Sequence, residues 1–171
     1  MRLTFALTGL LLTMVPALLQ AAEPPADLAE ELRPLHRYAG TWQKEFESTQ
    51  GEEKVKKSGT HTSKWILKNR FLQEEGKDSD GTMYLSVMRY DPDTQQFKLT
   101  FFQSTGFSST LTGTFDAATS TFTFKDSNGG GSFVGTNQFV DADTYKMHYQ
   151  AKGPDGKVQF QISGTAKRVK P

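Results

Sequence analysis

Gly40-Thr41-Trp42 is where this chain changes character. Upstream, Leu28, Leu32 and Leu35 recur at spacings of four and three, as on one face of a helix. Downstream, no helical periodicity lasts. Thr, Phe, Tyr and Val fill short runs, and Asp, Pro, Gly and Asn punctuate them, which is the composition of strands joined by tight turns. The triplet therefore opens the first strand of an all-β domain. Counting forward predicts about ten strands, near 41–49, 54–67, 70–77, 82–90, 96–104, 107–115, 120–125, 131–140, 144–151 and 157–169.

The turns predict how those strands are wound. Asp91-Pro-Asp-Thr94, Asp116-Ala-Ala-Thr119 and Asp141-Ala-Asp-Thr144 each begin with an Asp able to close an Asx-turn, and Pro92 suits the second turn position. Asp91, Asp116 and Asp141 are 25 residues apart, room for an outgoing strand, a return strand and a connection. Successive turns then share one end of the molecule, as an up-and-down antiparallel β-barrel requires. Gly153-Pro-Asp-Gly156 is a further turn, and Gly129-Gly-Gly131 reads as a loop tip or bulge.

Arg168 lies in the last strand. It keeps the phase of Val158, Phe160 and Ile162, and so faces inward at the end where Trp42 enters. A guanidinium over an indole contributes about 0.5–2 kcal/mol, which makes Trp42 and Arg168 the candidate closure pair of the barrel. Before the first strand, Asp27 is placed to cap a short helix, and Pro34 limits it to one or two turns ending near Tyr38-Ala39-Gly40. That helix reads as a plug or lid on one barrel end.

The N-terminus reads as a secretory signal peptide. Arg2 precedes an apolar run from Leu3 to Leu19, and Ala21-Ala22 offers a cleavage site. The expected organisation is a signal peptide over 1–21, a linker and short helix over 22–39, and the barrel over 40–171. An exported protein of the periplasm or extracellular space follows, with no stable membrane anchor after cleavage. There is no cysteine, so neither a disulfide nor a thiol nucleophile contributes. Charge is nearly even, with 20 basic against 19 acidic residues, which argues against a nucleic-acid partner. The run Lys54-Val55-Lys56-Lys57 fits a solvated strand edge.

Strand alternation sorts the candidate interior. Trp42, Lys44 and Phe46 share a face, as do Val55, His61, Trp65 and Leu67; Met83, Leu85, Val87 and Arg89; and Phe97, Leu99 and Phe101. Phe122 with Phe124, Phe133 with Phe139, and Tyr145 with Met147 and Tyr149 complete an aromatic lining, with Gln73 and Glu75 in phase beside Phe71. A barrel of this width holds either a cavity or a filled core. If a cavity, His61, Trp65, Arg89 and Phe101 are the candidate ligand-contacting residues of the lumen.

Catalytic motifs are absent from the sequence. The three histidines lack metal-ligand spacing, no Gly-x-Ser-x-Gly elbow occurs, and Gly129-Gly-Gly131 precedes no predicted helix. The residues point to no cofactor and no metal. An inward His61–Glu75 pair is the one acid–base combination on offer.

Gly40-Thr41-Trp42, Trp65-Ile-Leu-Lys-Asn-Arg-Phe-Leu72, Arg89-Tyr-Asp-Pro-Asp-Thr94 with Phe97, and the closing Ala166-Lys-Arg168 come in an order that resembles a bacterial exported family. That family is catalogued as domain of unknown function fifteen-seventy-nine. The resemblance covers roughly 35–170 and implies a calycin-type, lipocalin-like barrel, without implying an activity. The expected function is a carrier or sensor of a small apolar or amphipathic ligand. A filled-barrel interaction module and an enzyme using an inward His/carboxylate pair are the alternatives.

Overall fold

The computed structural model of the protein describes residues 23–126 and 131–170. The expected signal peptide and most of the Gly129-Gly-Gly131 tip lie outside the described residues. A 3₁₀ helix (Glu30–Tyr38) leads into ten strands: β1 (Gly40–Gln50), β2 (Glu53–Ile66), β3 (Phe71–Asp78), β4 (Met83–Asp91), β5 (Gln96–Gln103), β6 (Ser108–Asp116), β7 (Thr121–Asp126), β8 (Ser132–Phe139), β9 (Thr144–Lys152) and β10 (Val158–Arg168). Each strand pairs antiparallel with the next, and β1 pairs with β10, so the sheet is a closed barrel without edges.

The Asp turns form as their chemistry dictates. The Asp91, Asp116 and Asp141 carboxylates accept from backbone N–H groups two residues on, at 3.2, 2.9 and 2.7 Å. All three turns, together with the β2–β3 turn, lie at the end that the helix covers. The Gly153–Gly156 turn, with Gly156 at φ +77°, lies at the opposite, uncovered end.

The N-terminal helix plugs its end. Leu32, Leu35 and Tyr38 recur every three residues, the period of a 3₁₀ turn, and all three are buried. The Tyr38 ring packs against Phe122, Phe139 and Tyr145 at centroid distances of 4.9–5.7 Å. Asp27 does not cap the helix, which starts only at Glu30. Its carboxylate instead accepts from Asn69 Nδ2 at 2.7 Å and ties the linker to the β2–β3 turn.

Several inward assignments shift. In β4 the inner residues are Tyr84, Ser86, Met88 and Tyr90, which pair with Gly76, Glu74 and Leu72 of β3 and Phe97 of β5. Met83, Leu85, Val87 and Arg89 face outward. In β3, Leu72, Glu74 and Gly76 point in, while Gln73 donates to Glu75 on the outer face. Val55, Leu67 and Val158 are exposed: Leu67 lies in the β2–β3 turn at φ +50°, and a register shift between Val158 and Phe160 takes Val158 out of phase. From Phe160 onward β10 keeps its alternation, so Arg168 remains on the inner face.

Candidate functional site

At the plugged end, the sequence positions Arg168 and Trp42 directly opposite one another on β10 and β1. The guanidinium lies 4.2 Å from the indole ring centre. Its N–H groups donate to the carbonyls of Ala39, Arg37 and Ala142 and to the Asp143 carboxylate. Trp42 Nε1 donates to the Tyr38 carbonyl at 2.8 Å. One cation thereby staples the helix exit, the β8–β9 turn and both seam strands.

Below this seam the interior is tightly filled. Trp42, Leu72, Phe97, Phe122, Phe139 and Tyr145 are at most 5% exposed. Midway along the barrel the composition changes. His61, Ser63, Ser86 and Asn137 are buried polar residues, and Glu74 stands between Ser63 and Ser86 on neighbouring strands. Ser63 Oγ donates to Glu74 Oε2 at 3.2 Å, and His61 Nε2 lies 3.7 Å from the same oxygen and 3.2 Å from the Tyr145 hydroxyl. The Tyr84 phenol accepts from Lys44 Nζ at 3.1 Å. Lys44 in turn pairs with Asp78 at 2.8 Å. A second chain runs from the Tyr149 hydroxyl to Asn137 Oδ1 and from Asn137 Nδ2 to the Tyr38 hydroxyl, at 2.8 and 3.0 Å.

Burial governs how these groups titrate. It pushes the Tyr38, Tyr84, Tyr145 and Tyr149 phenols well up, with the Glu74 charge adding to the rise, so all four stay protonated donors. It lowers the His61 pKa, against the opposing pull of Glu74, so the imidazole is neutral at pH 7. His61 Nδ1 is buried with no hydrogen-bond partner, while the ring stacks 6.3 Å from Trp42.

Toward the uncovered end the lumen opens. Glu74, Leu99, Tyr149 and Ile162 are inward and mid-strand, yet each keeps partial exposure, and Glu74 keeps 15%. Side chains of that phase face the barrel interior. Phe101 and Phe133 line the approach, half-buried, with Phe101 against Phe107 of the β5–β6 loop. Five inward glycines shape the wall. A Cβ at Gly76, Gly113, Gly135 or Gly164 would collide with the rings of Tyr84, Phe124, Phe133 and Tyr149, or with Phe46, and one at Gly59 with the Lys44–Asp78 pair. Large side chains thus lie flat in glycine notches and narrow the bore.

The four candidate lumen residues separate. His61 lies in the polar floor and Phe101 on the wall near the mouth. Trp65 faces inward at the plugged end, where Nε1 donates to His36 Nδ1 at 3.0 Å and the two rings stack. It is therefore part of the plug. Arg89 is outside the barrel, 3.8 Å from Asp91. The phase of β4 is ambiguous in sequence because its outer face is also apolar: Leu85 pairs with Phe102, beside a surface depression of about 520 Å³ on the barrel's exterior.

Sequence reasoning missed Glu74, and placed Glu75 in its position as the partner of His61. Gly76 was the usable signal, since a mid-strand glycine marks an approaching large side chain and shares the face of Glu74 and Leu72.

This geometry defines a closed, calycin-type ten-stranded barrel with one end plugged by the helix and the other left uncovered by it. Residues 29–168 match the family described as a protein of unknown function, DUF1579, and the chain belongs to that family. Among solved structures, Rv2717c from M. tuberculosis is similar at 13% identity and a TM-score of 0.66, covering 84% of this chain and 100% of that one. The S-type phycobiliprotein lyase CPES from Guillardia theta is similar at 13% identity and a TM-score of 0.55, covering 79% of this chain and 90% of that one. At such identities the likeness is one of fold. No functionally curated protein sequence matches this chain significantly.

Proposed function

We propose that this protein is a lipocalin-like binding protein, exported to the periplasm or extracellular space, that holds a small amphipathic molecule in the open half of its barrel. One observation carries the reading: inward, mid-strand Leu99, Tyr149 and Ile162 remain partly exposed above a floor bearing Glu74. An aromatic and aliphatic wall over a few placed polar groups is the usual form of a small-molecule site. The apolar N-terminal run and its Ala-Ala exit support export. Binding is favoured over acid–base catalysis because the His61 side chain is 1% exposed, wedged against Trp42 and Tyr145, which leaves little space for a substrate at its ring.

The test is native mass spectrometry of protein purified from its own compartment, beside titration with fluorescent fatty acids, retinoids and haem. A reproducible adduct lost on denaturation, or saturable probe binding, is expected. Ile162→Trp, which fills the bore, should weaken that binding at least about tenfold, or 1.4 kcal/mol. An empty protein that binds none of the probes would sink the carrier reading. The ring-filled glycine notches would then favour the second reading, a filled barrel acting through its surface.

A further inference from the structure

Glu74 is the charge the interior leaves unbalanced. Lys44 and Asp78 cancel one another at 2.8 Å, and at the rim Lys57 pairs with Asp80 at 2.8 Å. Among the described residues, the one ion-pairing neighbour of Glu74 is His61, whose burial keeps it neutral at pH 7. Ser63 donates a hydrogen bond to the carboxylate, which solvates the charge without neutralising it. A carboxylate held this way in a partly closed, apolar cup attracts a cation more strongly than it would in water.

The walls above it suit the same kind of ligand. Tyr84 stacks with Phe101 at 5.6 Å and Phe133 lies 6.2 Å from Tyr149. The faces of such rings carry negative potential and attract organic ammonium groups. The protein uses this chemistry on itself. The Lys44 ammonium stands 4.3 Å from the Tyr84 ring centre and 5.2 Å from that of Phe46, with Asp78 as its counter-ion.

We propose that the lumen selects organic cations, an ammonium group on an apolar body, with Glu74 as counter-ion and the Phe101, Phe133 and Tyr149 rings as walls. The proposal rests on the open half being a ligand site and narrows what that site takes.

Competition against a bound apolar fluorophore, with decylammonium, decanol and decanoate below their micelle-forming concentrations, tests it on the unmodified protein. Decylammonium should bind at least about tenfold tighter than decanol, with decanoate weakest. Glu74→Gln should erase the advantage of the amine and leave decanol within about twofold, the variant's fold being checked by near-ultraviolet circular dichroism. Equal binding of amine and alcohol, tightest binding of decanoate, or an advantage that survives Glu74→Gln would each overturn cation selection and leave the carrier reading standing. Failure of the fluorophore and of all three amphiphiles to bind would remove both.

Discussion

Gly40 is a glycine for two reasons that meet at one atom. Its φ of +109° is open to few other residues, and a Cβ there would sit 2.7 Å from an Arg168 guanidinium nitrogen. The Gly-Thr-Trp triplet and the distant arginine are therefore one device: glycine clears the space, arginine fills it, and tryptophan supplies the face beneath. Removing the guanidinium leaves the Ala39 and Ala142 carbonyls without their charged donor. Arg168→Ala should cost about 2–4 kcal/mol, from several charge-assisted hydrogen bonds and the cation–π contact. Gly40→Ala should cost about 1–3 kcal/mol through backbone strain, more if the clash forces Arg168 aside. Urea unfolding of both variants measures this. A shift within error for Arg168→Ala would show that the seam closes without its staple.

Among the elements, the 3₁₀ helix is the part whose contribution can be isolated. Leu35 is 0% exposed beneath it, whereas Arg33 on the next turn is exposed. Leu35→Ala should lose about 2–4 kcal/mol to transfer and cavity terms, while Arg33→Ala stays within about 0.5 kcal/mol. Equal stability of the two variants by urea titration would mean that the barrel does not depend on its plug. At this scale much was legible beforehand. The ten strands and the three Asp turns on one end follow from turn chemistry, which acts locally and so is written locally. The phase of β3 and β4 was not legible, because Phe71 beside Leu72, and Leu85 and Val87 beside Met88, offer apolar residues on both faces. Register is then decided by partners across the sheet: Ser63 and Ser86 admit Glu74, and Gly76 admits the Tyr84 ring. Lys44, His61, Tyr145 and Tyr149 were readable as inward. The rest of the polar floor, Ser63, Glu74, Ser86 and Asn137, escaped the sequence because its members come from β2, β3, β4 and β8 and meet only on closure.

Across the molecule as a whole, the polar residues beyond the densely packed, plugged half include one group, His61, that couples stability to pH. Burial lowers the folded-state pKa of His61, with Lys44 lowering it further and Glu74 and Asp78 opposing, while the unfolded chain returns it to its ordinary value near 6.5. Between the folded pKa and about 6.5 the unfolded state binds a proton that the folded state does not. Stability is therefore full above that window and falls as pH drops through it, by at most about 1.4 kcal/mol per pH unit for one proton. The turn carboxylates Asp80 and Asp116, held low by Lys57 and Thr119 respectively, act in a separate window: their contribution is present above about pH 4 and is lost on further acidification. Urea midpoints measured from pH 8 to pH 5 should thus decline below about pH 6.5, and His61→Gln should flatten that decline while leaving the loss below pH 4. A wild-type midpoint that is level from pH 8 to pH 5 would mean that the floor admits a proton, with His61 charged beside Glu74. The carboxylate would then already hold its counter-ion, and the ammonium preference should vanish over the same pH range.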